Sequence, residues 1–322
     1  MGVEGLKRVC VTGGAGFIGV RLVSNLLERG IEVTVLDDLS VGVRSRVPDG
    51  ARLVVGDIRD AAPAREAVDG CDALVHLAAR VAIRSSFEHA VDDTSINVVG
   101  TASMLRAAID AGTVRRFVFA SSMAVYADSL SAKPIDESHL ARPTSPYGIS
   151  KLAAERLVHL MCAEAGLSST ALRLFNTYGP GQTFSPYVGV VTIFVTQLLN
   201  GQPVTIFGDG EQCRDFVHVD DVATAFVLAV QSERSQCTYN VGTGHAISVN
   251  EVYERVCRAM DKDIAARHVV AAPGELRYSI ADINAARHEL GYSPERKFDS
   301  EIAPAVAEIL SNATVSNSGG AR

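Results

Sequence analysis

The sequence lacks the features that mark membrane, metal-binding and nucleic-acid-binding proteins. None of its six cysteines stands in a CxxC pair or near a histidine at metal-ligand spacing, so we expect reduced thiols and no metal. No apolar run approaches the roughly 18 residues of a membrane-spanning helix, so no membrane association is expected. The formal net charge of −7 argues against nucleic acid as a partner.

Low-complexity composition is absent too. Of the 322 residues, 47% are hydrophobic and only 21% are charged, and 27 glycines with 11 prolines are too few for a repetitive chain. Such a chain can bury a large core, as one large domain or two smaller ones. The opening MGVEGLKR leads directly into an apolar run without a signal sequence, so we expect a cytoplasmic location.

Short apolar runs alternate with helical patterns along the chain. Strands are predicted at 9–12, 32–36, 52–55, 73–77, 116–120, 169–174 and 238–241, and helices at 17–29, 98–111, 150–165, 190–200 and 222–231. This pattern predicts an α/β fold, a Rossmann-like doubly wound parallel sheet with a smaller C-terminal α/β substrate-binding domain. The expected domains are 1–175 with 216–241 and 176–215 with 242–311, followed by a disordered tail at 312–322.

The segment TGGAGFIG joins the first predicted strand to the first predicted helix. Its glycines let the backbone turn tightly and approach a pyrophosphate at the positive helix N-terminus. The order of strand, glycine loop and helix makes a dinucleotide site a better explanation than an ordinary glycine-rich turn. The expected cofactor contacts in this segment are Gly13, Gly16, Phe17, Ile18 and Gly19.

Asp37 ends the second predicted strand, where a carboxylate can bind both ribose hydroxyls. This favours NAD, because the 2′-phosphate of NADP would meet the negative charge. Arg44 and Arg46 lie close enough in sequence to keep NADP open, or they are solvated surface charges.

Four more candidate cofactor residues follow the third and fourth predicted strands. Asp57 is placed to accept a hydrogen bond from the adenine amino group while Ile58 packs on the ring, or Asp57 caps the next helix. The small Ala78 and Ala79 suit a backbone that passes close to the cofactor, and ordinary packing explains them equally well.

Tyr147 and Lys151 stand four residues apart at the start of the long predicted helix, so both side chains emerge on one face. Bringing a tyrosine pKa from about 10 to near 7 takes about 4 kcal/mol, which a nearby ammonium and a positively charged nicotinamide can supply. The alternative is an exposed helix pair with a buried tyrosine ring. Ser121 and Ser122 end the fifth strand, where open parallel sheets bind ligands, and alone they would be a polar strand end.

TGGAGFIG, YGISK at 147–151 and GDGEQCRDFVHVDD at 208–221 together resemble the extended short-chain dehydrogenase/reductases. More narrowly, the chain is similar to the NAD-dependent UDP-glucose and UDP-N-acetylglucosamine 4-epimerases over residues 8–311. The resemblance implies a tightly held NAD, a UDP-sugar between the two domains and a homodimer formed through a four-helix bundle.

The resemblance also implies roles for individual residues. Tyr147 would be the catalytic base, Lys151 its pKa-lowering partner and a ribose ligand, and Ser122 the anchor of the sugar hydroxyl. The forked guanidinium group of an arginine suits a diphosphate, so Arg214 and Arg277 would bind it. Without the resemblance, both arginines would be interpreted as surface residues. The expected substrate-binding residues are Ser121, Ser122, Asn176, Arg214, Arg277 and Ser279.

Departures from related enzymes narrow the expected activity. Met123 and Ala124 stand where 4,6-dehydratases have an Asp-Glu pair and decarboxylases a Glu at the second position, which disfavours both reactions. Asn176 replaces the Thr of glucuronate epimerases, and Ser279 replaces a bulky Tyr that excludes N-acetylated sugars. Val81 replaces a lysine that binds the cofactor in some members.

We therefore expect a 4-epimerase that acts on UDP-Glc and UDP-Gal, and also on UDP-GlcNAc and UDP-GalNAc, through a transient 4-keto sugar. The alternatives are a UDP-glucuronate 4-epimerase, another nucleotide-sugar oxidoreductase or dehydratase that shares these residues, and a non-catalytic NAD-binding regulator.

Overall fold

The computed structural model describes residues 6–81, 83, 85–129, 131–182, 189–270 and 276–318, with side chains described as far as Ser311. Residues 1–5 and 319–322 of the predicted domain ranges lie outside the described residues. The helices within them are α1 (Phe17–Glu28), α2 (Ala61–Val68), α3 (Ala90–Thr94), α4 (Thr101–Ala111), α5 (Pro146–Glu164), α6 (Val190–Leu199), α7 (Val219–Gln231), α8 (Val249–Met260), α9 (Asn284–Leu290) and α10 (Phe298–Ser318).

The strands of the described residues fall into one large and several small sheets. They are β1 (Arg8–Thr12), β2 (Glu32–Asp37), β3 (Arg52–Val55), β4 (Ala73–His76), β5 (Arg116–Ser122), β6 (Ser168–Leu174), β7 (Asn176–Tyr178), β8 (Thr205–Phe207), β9 (Cys213–Arg214), β10 (Phe216–His218), β11 (Cys237–Val241), β12 (Ile247–Ser248), β13 (Arg267–Val269) and β14 (Tyr278–Ser279).

The large sheet has seven parallel strands in the order β11-β6-β5-β4-β1-β2-β3. Successive residues of β1 carry apolar side chains to the two faces of the sheet. Val9 and Val11 enter one core cluster, and Cys10 enters the other. Helices α1 and α7 cover the first face, and α2, α4 and α5 cover the second. The predicted doubly wound α/β fold is confirmed.

A separate hydrophobic cluster forms in the second part of the chain between α6, α8 and α10. The same part of the chain also forms three small sheets, with the strand orders β10-β7, β12-β9-β14 and β13-β8. The smaller C-terminal α/β unit is therefore present, and the exact domain boundaries stay a prediction. Helix α10 continues to Ser318, so a helix covers part of the segment that composition predicts to be disordered.

Three helices begin at residues other than the predicted ones, and one of them, α7, begins at Val219 instead of residue 222. The π-helical segment Ser95–Gly100 precedes α4, where the pattern predicts one helix from residue 98. Helix α5 begins at Pro146, before the predicted residue 150, because the Ser145 hydroxyl accepts a hydrogen bond from the Gly148 amide and Pro146 occupies the first turn. Among the described residues, no helix has the length and apolar character that crossing a membrane requires.

Candidate active site

The order of the strands reverses between β1 and β4, and at such a point a crevice opens at the carboxyl ends of the strands. Gly13 follows β1 and Ala78 follows β4. A Cβ atom at Gly13 would lie 2.8 Å from the Ala78 amide nitrogen, and Gly13 has φ +69°. Only glycine therefore allows the two loops to approach this closely.

The N-terminus of α1 faces the same crevice. A Cβ atom at Gly19 would lie 2.2 Å from the Gly13 carbonyl oxygen, so this glycine packs the helix onto the loop. Gly16 is the N-cap and provides no side chain to cap the first-turn amides of Phe17 and Ile18. This cradle fits the pyrophosphate of a dinucleotide, which can accept hydrogen bonds from uncapped helix amides.

Asp37 lies beside the glycine loop at the end of β2. Its Oδ2 accepts a hydrogen bond from the Ala15 amide (3.0 Å), its Oδ1 accepts one from the Leu39 amide (2.9 Å), and burial raises its pKa. The carboxylate is thus held where ribose hydroxyls are expected. Arg44 is exposed, whereas the Arg46 guanidinium lies against Gly181, whose Cβ would be 2.3 Å from Arg46 Nη2.

Asp57 is not the N-cap of α2, since Asp60 occupies that position. Its Oδ1 accepts a hydrogen bond from the Arg59 amide (2.8 Å), and the Arg59 guanidinium beside it lowers the pKa of the Asp57 carboxyl. Ile58 is buried in the core beside Gly100. The helix-cap interpretation of Asp57 is therefore excluded.

A polar chain that sequence reasoning missed supports the loop after β4. The Ala78 amide donates to Thr12 Oγ1 (3.2 Å), which lies 2.7 Å from His76 Nδ1, and His76 Nε2 lies 3.0 Å from Thr101 Oγ1. Thr101 donates to the Asn97 carbonyl oxygen (2.6 Å), so His76 Nε2 is the donor and Nδ1 the acceptor. Ala79 follows this chain directly and is half-buried.

Tyr147 and Ser122 lie near each other at the end of β5, and Lys151 Nζ lies over the Phe119 ring of the same strand, 4.3 Å from its centroid. Both helix side chains are almost fully buried, and the burial of Lys151 excludes the exposed helix pair with a buried ring. Gly148 allows this approach, because a Cβ atom there would lie 2.2 Å from the Ala124 carbonyl oxygen. Ser122 Oγ accepts a hydrogen bond from the Ala124 amide (3.2 Å), and the Ser122 hydroxyl acts to lower the pKa of the Tyr147 phenol.

Burial dominates the electrostatics of this cluster. It raises the pKa of Tyr147 to about 12 against the opposing hydrogen bond from Ser122, and it lowers the pKa of Lys151 to about 7 against the attraction of Glu155. A buried phenol needs an added positive charge to ionise near neutral pH.

Ser121 points into a different environment from Ser122. Its hydroxyl donates to Glu155 Oε2 (2.5 Å), and Glu155 also forms a buried ion pair with Arg173 (2.6 Å). The Arg173 guanidinium lies over the Tyr126 ring, 4.7 Å from its centroid. The hydroxyl expected to bind substrate is thus engaged in a structural network, since neighbouring strand residues face opposite sides of the sheet.

The other candidate substrate residues lie outside the large sheet, in the small sheets of the second part of the chain or next to them. Arg214 of β9 pairs in register with Ser279 of β14, and the Arg277 carbonyl oxygen accepts from the Cys213 amide (2.9 Å). Arg277 forms an exposed ion pair with Asp209 (2.7 Å). Ser279 is buried, and no described residue hydrogen-bonds its hydroxyl.

Asp215, which sequence reasoning missed, ties these parts together. Its buried carboxylate accepts hydrogen bonds from the amides of Thr243 (2.8 Å), Gly244 (2.8 Å) and Ala281 (3.2 Å). Its carbonyl oxygen accepts from the Asn176 side chain (3.3 Å). The sequence around Asp215 does not predict these hydrogen bonds, because the residues that form them are distant in the chain.

The Rossmann-like fold, the glycine cradle and the buried tyrosine, lysine and serine define a nicotinamide-dependent enzyme. The model of the NAD dependent epimerase/dehydratase family matches residues 9–242, and the chain belongs to this family.

Similar proteins of known identity cover nearly the whole chain. The UDP-glucose 4-epimerase of Mycolicibacterium smegmatis is 36% identical over 93% of this chain and 97% of that protein. The structure of the Thermus thermophilus UDP-glucose 4-epimerase in complex with NAD is 36% identical with a TM-score of 0.88, covering 94% of this chain and 99% of that one. A UDP-N-acetylglucosamine 4-epimerase from Methanobrevibacter ruminantium is 30% identical with a TM-score of 0.89, covering 95% and 99%.

Proposed function

We propose that this protein is an NAD-dependent UDP-sugar 4-epimerase, and therefore an isomerase. The observation that carries the proposal is the burial of Tyr147 and Lys151, one helical turn apart on α5, together with Ser122 at the end of β5, which acts on the Tyr147 phenol. The relatives named as UDP-sugar 4-epimerases support it.

The residues of this chain would handle the proton of the sugar 4-hydroxyl. Bound NAD supplies the hydride acceptor, and later the donor, for C4. The Tyr147 phenolate takes the proton of the sugar 4-hydroxyl, and Ser122 holds the oxygen of that sugar hydroxyl. Lys151 favours the phenolate form of Tyr147. After the 4-keto sugar rotates within the site and presents its other face, Tyr147 returns the proton. The reaction has no net redox change, because C4 takes back the hydride that it gave up.

The candidate active site lacks, directly after Ser122, the acid and base that an elimination or a decarboxylation would need. Met123 and Ala124, which follow Ser122 directly, are buried apolar residues that transfer no protons. The UDP moiety is proposed to lie on Arg214, Arg277 and Asn176, while the sugar subsite accepts either configuration at C4.

The assay that tests the proposal separates it from its alternatives. Incubation with UDP-glucose is expected to form UDP-galactose without accumulation of NADH absorbance, and UDP-GlcNAc is expected to react likewise. Stoichiometric NADH would instead identify a net oxidoreductase. Inactivity on these sugars and on UDP-glucuronate, with NAD bound, would identify a non-catalytic regulator.

The small Ser279 side chain is proposed to leave room for an N-acetyl group. Replacing Ser279 by Tyr is expected to lower kcat/KM for UDP-GlcNAc at least about tenfold relative to UDP-glucose, because steric exclusion of about 1.4 kcal/mol corresponds to that factor. Ser279→Ala, which keeps the space, is the control and should change the ratio little. Equal losses on both sugars in Ser279→Tyr would contradict this account.

The proposed assembly is a homodimer formed through the face that carries α5. Ile149 and Leu160 lie on the same side of α5 and are 58% and 69% exposed. Val91 and Val99, in segments that pack against α5, are also exposed. Burying such an apolar surface against a second copy is favourable. A cytoplasmic location stays a proposal from the sequence.

A further inference from the structure

The ammonium group of Lys151 is a buried cation. Lys151 is 3% exposed, burial lowers its pKa to about 7, and Glu155 acts in the opposite direction. The Glu155 carboxylate forms its short contacts elsewhere, with the Arg173 guanidinium (2.6 Å) and the Ser121 hydroxyl (2.5 Å). Because a buried charge is costly unless another group stabilises it, the group in contact with Lys151 Nζ decides how the cation is held.

That group is the aromatic ring of Phe119 on β5. Lys151 Nζ lies over the ring, 4.3 Å from its centroid. The face of an aromatic ring carries partial negative charge and attracts a cation above it, most strongly where both groups are out of water. Phe119 is 1% exposed, so water does not screen this contact.

The Phe119 ring is itself fixed from the neighbouring strand. His76 of β4 pairs in register with Phe119, and the two rings stack with centroids 6.0 Å and planes 25° apart. Burial and the charge of Lys151 lower the pKa of His76 to about 3, so the imidazole is neutral. Its nitrogens lie 2.7 Å from Thr12 Oγ1 and 3.0 Å from Thr101 Oγ1. The ring thus packs against a neutral group that β1 and α4 hold in place.

An aromatic face stabilises a cation without neutralising it. A carboxylate in contact with Lys151 would cancel most of the field that the ammonium exerts on Tyr147, one helical turn away. The Phe119 ring carries no net charge, so this field remains.

We propose that Phe119 is a positioning residue, which holds the Lys151 ammonium on the face of its ring and so keeps an uncompensated positive charge beside Tyr147. The inference rests on the proposed role of Lys151 in favouring the phenolate. It gives an apolar residue of β5 a part in the acid/base chemistry in addition to its packing.

The first test is Phe119→Leu, which removes the ring and keeps a buried apolar side chain. The pKa of Lys151 is expected to fall by about one unit, the usual size of a cation–π contact out of water. The chain has only five lysines, so carbon-13 NMR of protein labelled at the lysine Cε follows each titration, and Lys151→Arg identifies the Lys151 signal. Because the ammonium form is the active one, turnover should also decline at a lower pH as the pH is raised.

Phe117→Leu is the matched control. Phe117 lies on the same strand, is equally buried and belongs to the same core cluster, but its ring meets that of the neutral His76, with centroids 5.9 Å apart. This variant should leave the pKa of Lys151 unchanged. The other buried charged or titratable groups that face the first turns of α5 are unaltered in both variants, namely His76, Asp93, Tyr126, Tyr147, Glu155 and Arg173.

Fluorinated phenylalanine at position 119 separates the charge of the ring face from the shape of the ring. One, two or three ring fluorines weaken the negative face with little change in size, so the pKa of Lys151 should fall stepwise with their number. The same series at position 117 should show no trend. A parent-like pKa throughout the series at position 119 would overturn the proposal and leave Phe119 a packing role, and this series decides if Phe119→Leu does not fold.

The NMR readout does not depend on turnover. A protein that shows the expected changes in the pKa of Lys151 but converts no UDP-sugar would contradict the proposed function and retain this inference. An active epimerase with the same Lys151 pKa in every Phe119 variant would do the opposite.

Discussion

Tyr147→Phe is expected to lower the turnover of UDP-glucose by about 100- to 10,000-fold, the usual contribution of a positioned acid/base group. The variant removes only the phenolic oxygen, and the buried ring keeps its packing. Binding of NAD should persist, because the glycine cradle and Asp37 are unchanged. Initial rates of UDP-galactose formation, with the bound NAD content of the same samples, measure both effects.

Tyr253→Phe is the matched control for this variant. It also removes one phenolic oxygen, which donates to the Ile264 carbonyl oxygen far from β5, and turnover should stay near the parent rate. Turnover of Tyr147→Phe close to that of the parent would remove Tyr147 from the reaction.

Glu155→Gln is expected to reduce the free energy of unfolding by about 3–5 kcal/mol. The variant leaves the Arg173 guanidinium buried without its counter-charge and weakens the bond from Ser121. Chemical denaturation, with ΔG extrapolated to water, measures the loss. A smaller cost would mean that water reaches Arg173.

Glu66→Gln provides a control with the same chemistry at the surface. The Arg52–Glu66 and Arg173–Glu155 pairs have the same nitrogen–oxygen distance of 2.6 Å, but the side chains of the first pair are 56% exposed. Solvent screens the exposed pair, so its loss should cost less than about 1 kcal/mol. Equal losses in the two variants would show that burial does not decide the strength of these pairs.

Prediction from sequence succeeded where the signal was local. The strands of the large sheet follow from short apolar runs, and the cradle at Gly13 to Gly19 follows from the spacing of its glycines after a strand. The four-residue spacing of Tyr147 and Lys151 places both on one side of α5. Ser121 shows where sequence prediction ends. Its hydroxyl bonds to Glu155, which is distant in the chain, so the neighbouring sequence does not predict this contact.

By itself, the sequence determined the doubly wound α/β fold, the glycine-rich turn after the first strand and the placing of Tyr147 and Lys151 on one side of a helix, since these depend on periodicity or spacing along short stretches of chain. Only the tertiary structure decided how deeply Tyr147 and Lys151 are buried and that the Ser121 hydroxyl is bonded to Glu155. Those properties arise from packing between residues far apart in the chain, and packing sets both the solvation of a charge and its distance from the next one.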